Sequence, residues 1–309
     1  MAVLLNKDTK VLVQGITGTQ ASFHVQKMLA YGTKIVGGVS PLRGGTKHLN
    51  VDVFNSVIEA KQETKATSSV MFVPARFVKN AVKEAVEAEL ESVVAIASGV
   101  PIKDMMEIKA MLKGAKTLLI GPNTPGLITP EEACLGIFPE NIHCKGNIGV
   151  VSRSSTLTYE AVIETSKANM GQSSVVGIGD DMIVGTDFVE IIKRFHEDEN
   201  TKAILMIGQQ GGMYEEVGAE YYASRHESRA LQYPACHYHG RRYRDRHEDG
   251  RCTAHLRTHN LPRTLLHESI QVFLHRDHKL RLHRSFLLRF RRNNQYAGIH
   301  TRWTHGSRI

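Results

Sequence analysis

Two short segments of this chain carry residue types that bind phosphate groups. The first is Gly15-Ile16-Thr17-Gly18-Thr19-Gln20, which follows an apolar run and precedes an amphipathic stretch. Its glycines permit a tight turn, and the helix expected after them offers unpaired backbone N–H groups to an anion. Thr17, Gly18, Thr19 and Gln20 are therefore candidate anion-binding residues. A turn with a purely structural role stays open, because such glycine-containing loops are common.

An arginine follows the second predicted strand, Ile35–Val39. A unit that binds NAD places an aspartate or glutamate there, to bind the ribose hydroxyls. Here residues 37–45 contain no acid and one cation, Arg43, between glycines. A cation suits a phosphorylated ribose, as in CoA or NADP. The alternative is a solvated loop arginine that binds no ligand.

The second segment, Ser152-Arg153-Ser154-Ser155-Thr156, connects a predicted strand to a predicted helix. Small hydroxyl residues can cap a helix and hold an anion at its positive end. Ser154, Ser155 and Thr156 are therefore candidate phosphate-binding residues, with helix capping alone as the alternative.

Both segments lie in a pattern of short apolar runs that alternate with amphipathic stretches. Strands are predicted at Val11–Gln14, Ile35–Val39, Ser69–Val73, Val93–Ala97, Thr117–Ile120, Ser174–Ile178 and Ala203–Ile207. Helices are predicted at about Ser22–Ala30, Arg76–Glu89 and Lys103–Leu112. The alternation predicts the α/β class, with a doubly wound, Rossmann-like domain over residues 1–125 and a second α/β unit over residues 146–223.

Several motifs, taken in order and spacing, resemble those of one family. They are Gln14–Gln20, Tyr31-Gly32-Thr33-Lys34, Gly37-Gly38-Val39, Gly44-Gly45-Thr46, Val51–Asn55, Ile120-Gly121-Pro122-Asn123 and Pro125-Gly126. Over residues 1–223 the chain resembles the α subunit of succinyl-CoA synthetase, or succinate–CoA ligase. This resemblance implies a CoA-binding Rossmann-like domain followed by a flavodoxin-like ligase domain, which is incomplete here.

The resemblance also implies roles for particular residues. CoA contacts would come from Thr17–Gln20, from Arg43 (usually lysine in the family) and from Ile96, Ala97 and Ser98, while Tyr159 would lie near the acid substrate. The implied reaction, part of the tricarboxylic acid cycle, forms succinyl-CoA from succinate or a related dicarboxylate, CoA and ATP or GTP through a phosphohistidine. The nucleotide and Mg²⁺ would be bound by a partner β subunit of the ATP-grasp type, in an αβ or α2β2 assembly.

Four positions depart from the family pattern near the expected chemistry. Ser98 and Gln209 replace glutamates, Thr124 replaces a cysteine, and Ser155 replaces a glycine. An added side chain at Ser155 would crowd a phosphate, and Gln209 removes a carboxylate that could orient a histidine. Together they indicate an impaired ligase or a changed substrate. The alternative is a catalytically inactive CoA-binding or subunit-docking paralogue, or a degraded gene product.

The C-terminal part, residues 224–309, differs in charge and composition. Residues 1–220 contain 17 Lys, 4 Arg and 25 acidic residues, a net charge of −4, whereas residues 221–309 contain 1 Lys, 17 Arg and 6 acidic residues, a net charge of +12. The family's Met-Gly-His-Ala-Gly motif, which carries the phosphorylated histidine, is absent. His247 is near the expected position, but acidic and basic residues surround it. No catalytic residue is therefore assigned.

A shifted reading frame explains this tail simply. One nucleotide forward, arginine CGN codons become codons for Val, Ala, Asp, Glu or Gly, and histidine codons become codons for Ile, Thr or Met. The alternatives are a basic nucleic-acid-binding extension or a His-rich metal segment, and neither has recognised motif spacing. We expect a poorly ordered tail that leaves the edge of the second sheet uncovered, since Ile270–Leu274 is one short apolar run.

Other features exclude several classes of protein. No apolar run reaches the 18 residues of a membrane span, and the N-terminus lacks a signal-peptide core, so a cytoplasmic protein without membrane contact is expected. The four cysteines lack CxxC spacing, which predicts free thiols and no metal site. Nucleic acid is not an expected partner.

Overall fold

The computed structural model describes residues 3–209 and 213–226, together with four short strands farther along the chain. The first α/β unit contains β1 Lys10–Gln14, α1 Thr19–Ala30, β2 Lys34–Val39, β3 Lys47–His48, β4 Val51–Phe54, α2 Val57–Thr64, β5 Ser68–Met71, α3 Ala75–Glu87, β6 Ser92–Ala95, α4 Ile102–Leu112 and β7 Leu118–Ile120. The second contains β8 Gly126–Thr129, β9 Ala133–Gly136, a 3-10 turn Glu140–Ile142, β10 Lys145–Ser152, α5 Ser155–Lys167, β11 Gln172–Gly177, α6 Phe188–Glu197, β12 Ala203–Ile207 and α7 Tyr214–His226. The remaining strands are β13 Cys236–His237, β14 Ile270–Leu274, β15 Phe290–Arg292 and β16 Gln295–Ala297.

The first sheet has the strand order β3-β4-β2-β1-β5-β6-β7, and every neighbouring pair except β3–β4 is parallel. The four residues of β5 and of β6 are all buried, as expected of strands that helices cover on both faces. Strands β2, β3 and β4 lie on one side of β1, and the chain then crosses to the other side, where β5, β6 and β7 lie. Ligands bind at such a switch point, beyond the carboxyl ends of the strands. The predicted α/β class is confirmed.

The second sheet has the strand order β13-β14-β12-β10-β11-β8-β9, with β12, β10 and β11 parallel. Its switch point lies where β10 and β12 end. The prediction that the lateral edge of this sheet lies uncovered is wrong, because β14 pairs antiparallel with β12. Ile270 lies opposite Ile207, and Leu274 lies opposite Ala203. Strand pairing uses backbone N–H and C=O groups, so the one short apolar run Ile270–Leu274 is sufficient to cover this edge.

Several element boundaries differ from the predicted ones. Helix α1 begins at Thr19, three residues before the predicted start, so Thr19 and Gln20 belong to its first turn. Strand β6 ends at Ala95, which leaves Ile96 and Ala97 in the following loop. The β3–β4 and β8–β9 hairpins were not predicted.

One hydrophobic core joins the two units. Val11 and Val13 of β1 belong to the same buried cluster as Leu135 of β9 and Val151 of β10. Polar contacts cross the same junction: Thr33 Oγ1 donates to the carbonyl of Cys134 at 2.8 Å and accepts from its N–H at 3.0 Å. The β8–β9 hairpin is therefore packed firmly against the first unit.

Candidate functional site

The loop after β1 passes close to the end of β5. Gly15 has a φ of +79°, and a Cβ there would lie 2.5 Å from the carbonyl oxygen of Phe72. Its N–H donates to Val39 O at the end of β2, at 2.8 Å. Glycine is required here by both the positive φ and the close approach. The loop is thereby fixed at the switch point of the first sheet.

The N-terminus of α1 opens from this loop. Gly18 is the N-cap, no side chain caps the helix, and its first turn contains no acidic residue. Gly18, Thr19 and Gln20 are exposed, and Thr17 is half-buried with Oγ1 3.1 Å from Ser40 Oγ. An uncapped helix N-terminus keeps its N–H groups and the positive end of its dipole available to an anion.

Arg43 lies in a turn after β2. Its N–H donates to Ser40 O at 3.1 Å, and Thr46 Oγ1 donates to Arg43 O at 2.7 Å. Its side chain is exposed, and no ion pair joins it to an acid of the described residues. A positive group is thus held on the same edge of the sheet as the α1 N-terminus.

The loop after β6 brings the third predicted group to this edge. Ile96 and Ala97 are half-buried and Ser98 is exposed. The carbonyl of Ala97 accepts a hydrogen bond from Asn123 N at 2.8 Å. The predicted CoA-binding residues therefore all follow the carboxyl ends of β1, β2 and β6. Their individual contacts with a coenzyme stay a prediction.

A second helix N-terminus lies at the switch point of the other sheet. Ser154 is the N-cap of α5 and accepts from Leu157 N at 3.4 Å, while Ser152 Oγ accepts from Ser154 N at 3.0 Å. Ser154 is buried, Ser155 half-buried and Thr156 exposed. The first turn of α5 contains no acid. Ser154 thus caps the helix, and an anion-binding role for the three residues stays a prediction.

A buried ion pair joins the loops of this second edge. Arg153 and Glu215 are 5% and 7% exposed, and Nη1 lies 3.4 Å from Oε1. Arg153 Nη2 also donates to Asp181 O at 3.2 Å, and Gln209 N donates to Glu215 Oε1 at 2.8 Å. One arginine and one glutamate therefore connect the loops that follow β10, β11 and β12. Glu215 was not predicted from the sequence, where only its position after a glycine-rich loop could have indicated it.

The chain is similar to known proteins over both α/β units. A family model described as "CoA binding domain" matches residues 6–99, and one described as "CoA-ligase" matches residues 151–236. The "Succinate--CoA ligase [ADP-forming] subunit alpha" of Staphylococcus aureus (strain Mu50) is 52% identical over 221 residues, 72% of this chain and 73% of the relative. That of Staphylococcus epidermidis (strain RP62A) is 50% identical over the same shares. This chain belongs to the succinate–CoA ligase α-subunit family. The second match extends past residue 223, where the sequence resemblance was expected to end.

Solved structures share the fold of this succinate–CoA ligase α-subunit relative. ATP citrate lyase from Methanothrix soehngenii, in complex with citrate and coenzyme A, aligns with a TM-score of 0.65 at 24% identity, over 72% of this chain and 39% of that chain. The dinucleotide-forming acetyl-coenzyme A synthetase 1 of Ca. Korarchaeum cryptofilum aligns with a TM-score of 0.61 at 21% identity, over 74% and 49%. The chain thus spans less than half of either protein.

Tyr159, which the succinate–CoA ligase resemblance places near the acid substrate, is half-buried. Its ring packs edge-on against Phe138, with centroids 5.9 Å apart, and burial raises the pKa of its hydroxyl. No hydrogen bond in the described part of the chain joins it to Ser154, Ser155 or Thr156. Its substrate-binding role stays a prediction.

Two of the departures from the succinate–CoA ligase pattern have local explanations. Thr124 Oγ1 donates to Gly177 O and accepts from Gly126 N at 2.9 Å, so its hydroxyl connects the start of β8 to the end of β11. Gln209 follows β12, and its backbone N–H is bound by the Glu215 carboxylate. A carboxylate therefore does reach this edge, from α7.

The structure describes the side chains of four histidines. His24 stacks on Phe72, and His48 Nε2 lies 2.7 Å from Ser22 Oγ. His143 Nδ1 lies 2.9 Å from Pro139 O, and His196 Nδ1 lies 2.9 Å from Ile192 O. None of these contacts involves the first turn of α5. His247 lies outside the described residues.

Two further predictions concern metals and membranes. Within residues 3–209 and 213–226, no group of three or more His, Cys, Asp or Glu side chains could hold a metal ion. The helices of this same part of the chain include none that is long and apolar enough to cross a membrane.

Proposed function

We propose that the chain binds CoA at the edge where β1, β2 and β6 end. The observation that carries this proposal is the uncapped N-terminus of α1 on the same edge of the sheet as Arg43, an exposed cation without an acidic partner among the described residues. The α1 N-terminus would hold the diphosphate, and Arg43 would bind the phosphate on the ribose. The match of residues 6–99 to a CoA binding domain supports the same ligand.

NAD is the competing ligand for a site of this geometry. A dinucleotide site places an acid at the end of its second strand, whereas residues 37–45 contain none. We expect titration calorimetry of the full chain to give binding of CoA and none of NAD. Arg43→Glu should weaken CoA binding about 10- to 100-fold, because a charge-assisted phosphate contact is replaced by repulsion.

Lys113→Glu is the matched control for this charge reversal. Lys113 is exposed and lies between α4 and β7, at the opposite edge of the sheet. Lys113→Glu changes the net charge by the same amount as Arg43→Glu. It should keep the CoA affinity within about twofold of the wild-type value, since screening weakens distant charges. Binding of NAD but not CoA, or equal losses in both variants, would contradict the proposal.

For the whole protein, family membership supports the α subunit of an acid–CoA ligase. We propose that its reaction is the formation of succinyl-CoA from succinate, CoA and ATP or GTP. The partner would be an ATP-grasp β subunit, which binds the nucleotide and Mg²⁺, in an αβ or α2β2 assembly. Ser154, Ser155 and Thr156 would hold the phosphoryl group at the α5 N-terminus, and Tyr159 would face the dicarboxylate.

This reaction is proposed to be impaired in the present chain. Phosphate relay needs a nucleophile near the α5 N-terminus, and the four histidines whose side chains the structure describes make the contacts named above elsewhere. Incubation with a family β subunit and γ-labelled ATP should leave the chain unlabelled, while that β subunit's own α partner becomes labelled. Acid-labile phosphate on His247, lost in His247→Ala, would contradict this expectation.

A non-enzymatic role is the second candidate function. It is favoured by the contrast between the first edge, where the uncapped α1 N-terminus and a cation are present, and the second, where Ser155 and Gln209 depart from the family pattern. This candidate predicts that the chain binds CoA and co-elutes with a β subunit without turnover. Succinyl-CoA formation by the mixed complex would exclude it.

A further inference from the structure

His48 donates a hydrogen bond to α1. Its Nε2 lies 2.7 Å from Ser22 Oγ, and Ser22 Oγ donates at 2.9 Å to the carbonyl of Gly18. A serine hydroxyl carries one hydrogen, and here Gly18 O receives it. When both hydrogen bonds are formed, the hydrogen between Ser22 and His48 comes from Nε2. His48 thus binds the first turn of the helix that offers its N-terminus to the coenzyme.

The backbone between Arg43 and His48 is a short hydrogen-bonded segment. Thr46 Oγ1 donates to Arg43 O at 2.7 Å, and Gly45 N donates to Val53 O of β4 at 2.9 Å. His48 ends this compact segment in β3, which pairs antiparallel with β4. His48 therefore lies on the same short segment as the turn that holds Arg43.

Two side-chain hydrogen bonds, among the described residues, connect segment 40–48 to residues 15–22. One joins Ser40 to Thr17 at 3.1 Å, and the other joins His48 to Ser22. Arg43 lies between these two ties. Its long side chain is exposed and loses conformational entropy when a ligand binds. A fixed backbone reduces the total entropy that is lost on binding.

We propose that His48 is a positioning residue for coenzyme recognition, which holds the Arg43 turn in register with the N-terminus of α1. The inference rests on the proposed binding of CoA and deepens it. A ligand with both a diphosphate and a ribose phosphate requires a fixed spacing between the two groups that bind them, the α1 N-terminus and Arg43. Loss of the His48 bond should therefore weaken recognition of the ribose phosphate and spare that of the diphosphate.

The test compares CoA with 3′-dephospho-CoA, which lacks the ribose phosphate, by titration calorimetry of the full chain. The wild-type chain should prefer CoA, and Arg43→Ala should abolish most of that preference. His48→Ala should weaken CoA binding about 5- to 10-fold, the size of one hydrogen bond, and leave dephospho-CoA within about twofold. Thermal unfolding of each variant checks that the fold is retained.

Two variants separate positioning from general loosening of the hairpin. His48→Gln keeps an N–H donor at similar reach and should restore at least half of the lost preference. Lys47→Gln alters the preceding residue, whose side chain points to the other face of the strand and pairs with Asp52 at 3.3 Å. It should leave the preference unchanged.

The outcomes are distinguishable. If the wild-type chain binds no CoA, the proposed function fails and the inference fails with it. If CoA binds and Arg43→Ala removes the preference, but His48→Ala keeps it, the inference alone is overturned. Equal weakening of both ligands in His48→Ala, or an equal effect of Lys47→Gln, would also overturn it, because either shows a merely structural contribution.

Discussion

Replacement of Arg153 by methionine should destabilise the chain strongly. Methionine approximates the length and apolar stem of arginine but leaves Glu215 buried without its cation. Arg153 is 5% exposed and also binds the carbonyl of Asp181 at 3.2 Å. Removal of one partner of a buried ion pair costs about 3–5 kcal/mol, since an uncompensated charge remains. That is a large share of the about 5–15 kcal/mol that stabilises a domain.

A second substitution isolates the cause. In Arg153→Met/Glu215→Gln the stranded charge is removed, while the amide oxygen of glutamine can still accept from Gln209 N–H. We expect the double variant to recover about 2 kcal/mol or more of the lost free energy of unfolding. Urea unfolding followed by far-UV circular dichroism measures both values from the transition midpoints.

Arg194→Met is the matched control, because Arg194 pairs with Glu190 at 3.1 Å while both side chains are 34% exposed. This half-exposed pair should contribute about 1 kcal/mol at most. If Arg153→Met lowers the free energy of unfolding no more than Arg194→Met does, burial does not determine the contribution of the Arg153–Glu215 pair to stability. If the double variant is no more stable than Arg153→Met, the cost does not come from the carboxylate.

Two titratable groups give the remaining predictions. Burial lowers the pKa of His143 from 6.5 to about 4. The unfolded chain therefore binds more protons between these values, and the free energy of unfolding should fall by about 3 kcal/mol at most as the pH drops through this window. His143→Phe should flatten that slope in urea unfolding, and an unchanged slope would contradict the assignment. Burial also raises the pKa of the Cys134 thiol to about 12. At pH 8 iodoacetamide should therefore modify Cys144 well before Cys134 in the native chain, as peptide mass spectrometry can measure.

The sequence predicted five strands of the first sheet, β1, β2, β5, β6 and β7, because they are short and almost wholly apolar. It placed their ends less well. Phe72 and Val73 are apolar yet half-buried in the loop after β5, so hydrophobicity extended the predicted strand two residues too far. The start of α1 was placed too late because Thr19 and Gln20 are polar and exposed, without an apolar period to indicate a helix.

Local groups of the candidate site were predicted, and long-range pairs were not. Thr17 to Gln20 follow one strand directly, and glycines flank Arg43, so pattern and chemistry coincide within a few residues. The Arg153–Glu215 pair spans 62 positions, and the Ser22–His48 bond spans 26. Nothing in a single sequence marks such partners, because the packing of separate loops at one edge of a sheet creates them.

The core shared by the two units determines how the chain can be divided. A fragment that ends near residue 125 would lose Leu135 and Val151, against whose cluster Val11 and Val13 are packed, and would expose an apolar face of its own sheet. The β8–β9 hairpin, with its paired Thr33–Cys134 contacts, would have to remain attached to protect that face. Because the two units share a core, we expect them to unfold cooperatively, so that stabilisation gained from a ligand at the first edge would extend to the helix N-terminus at the second.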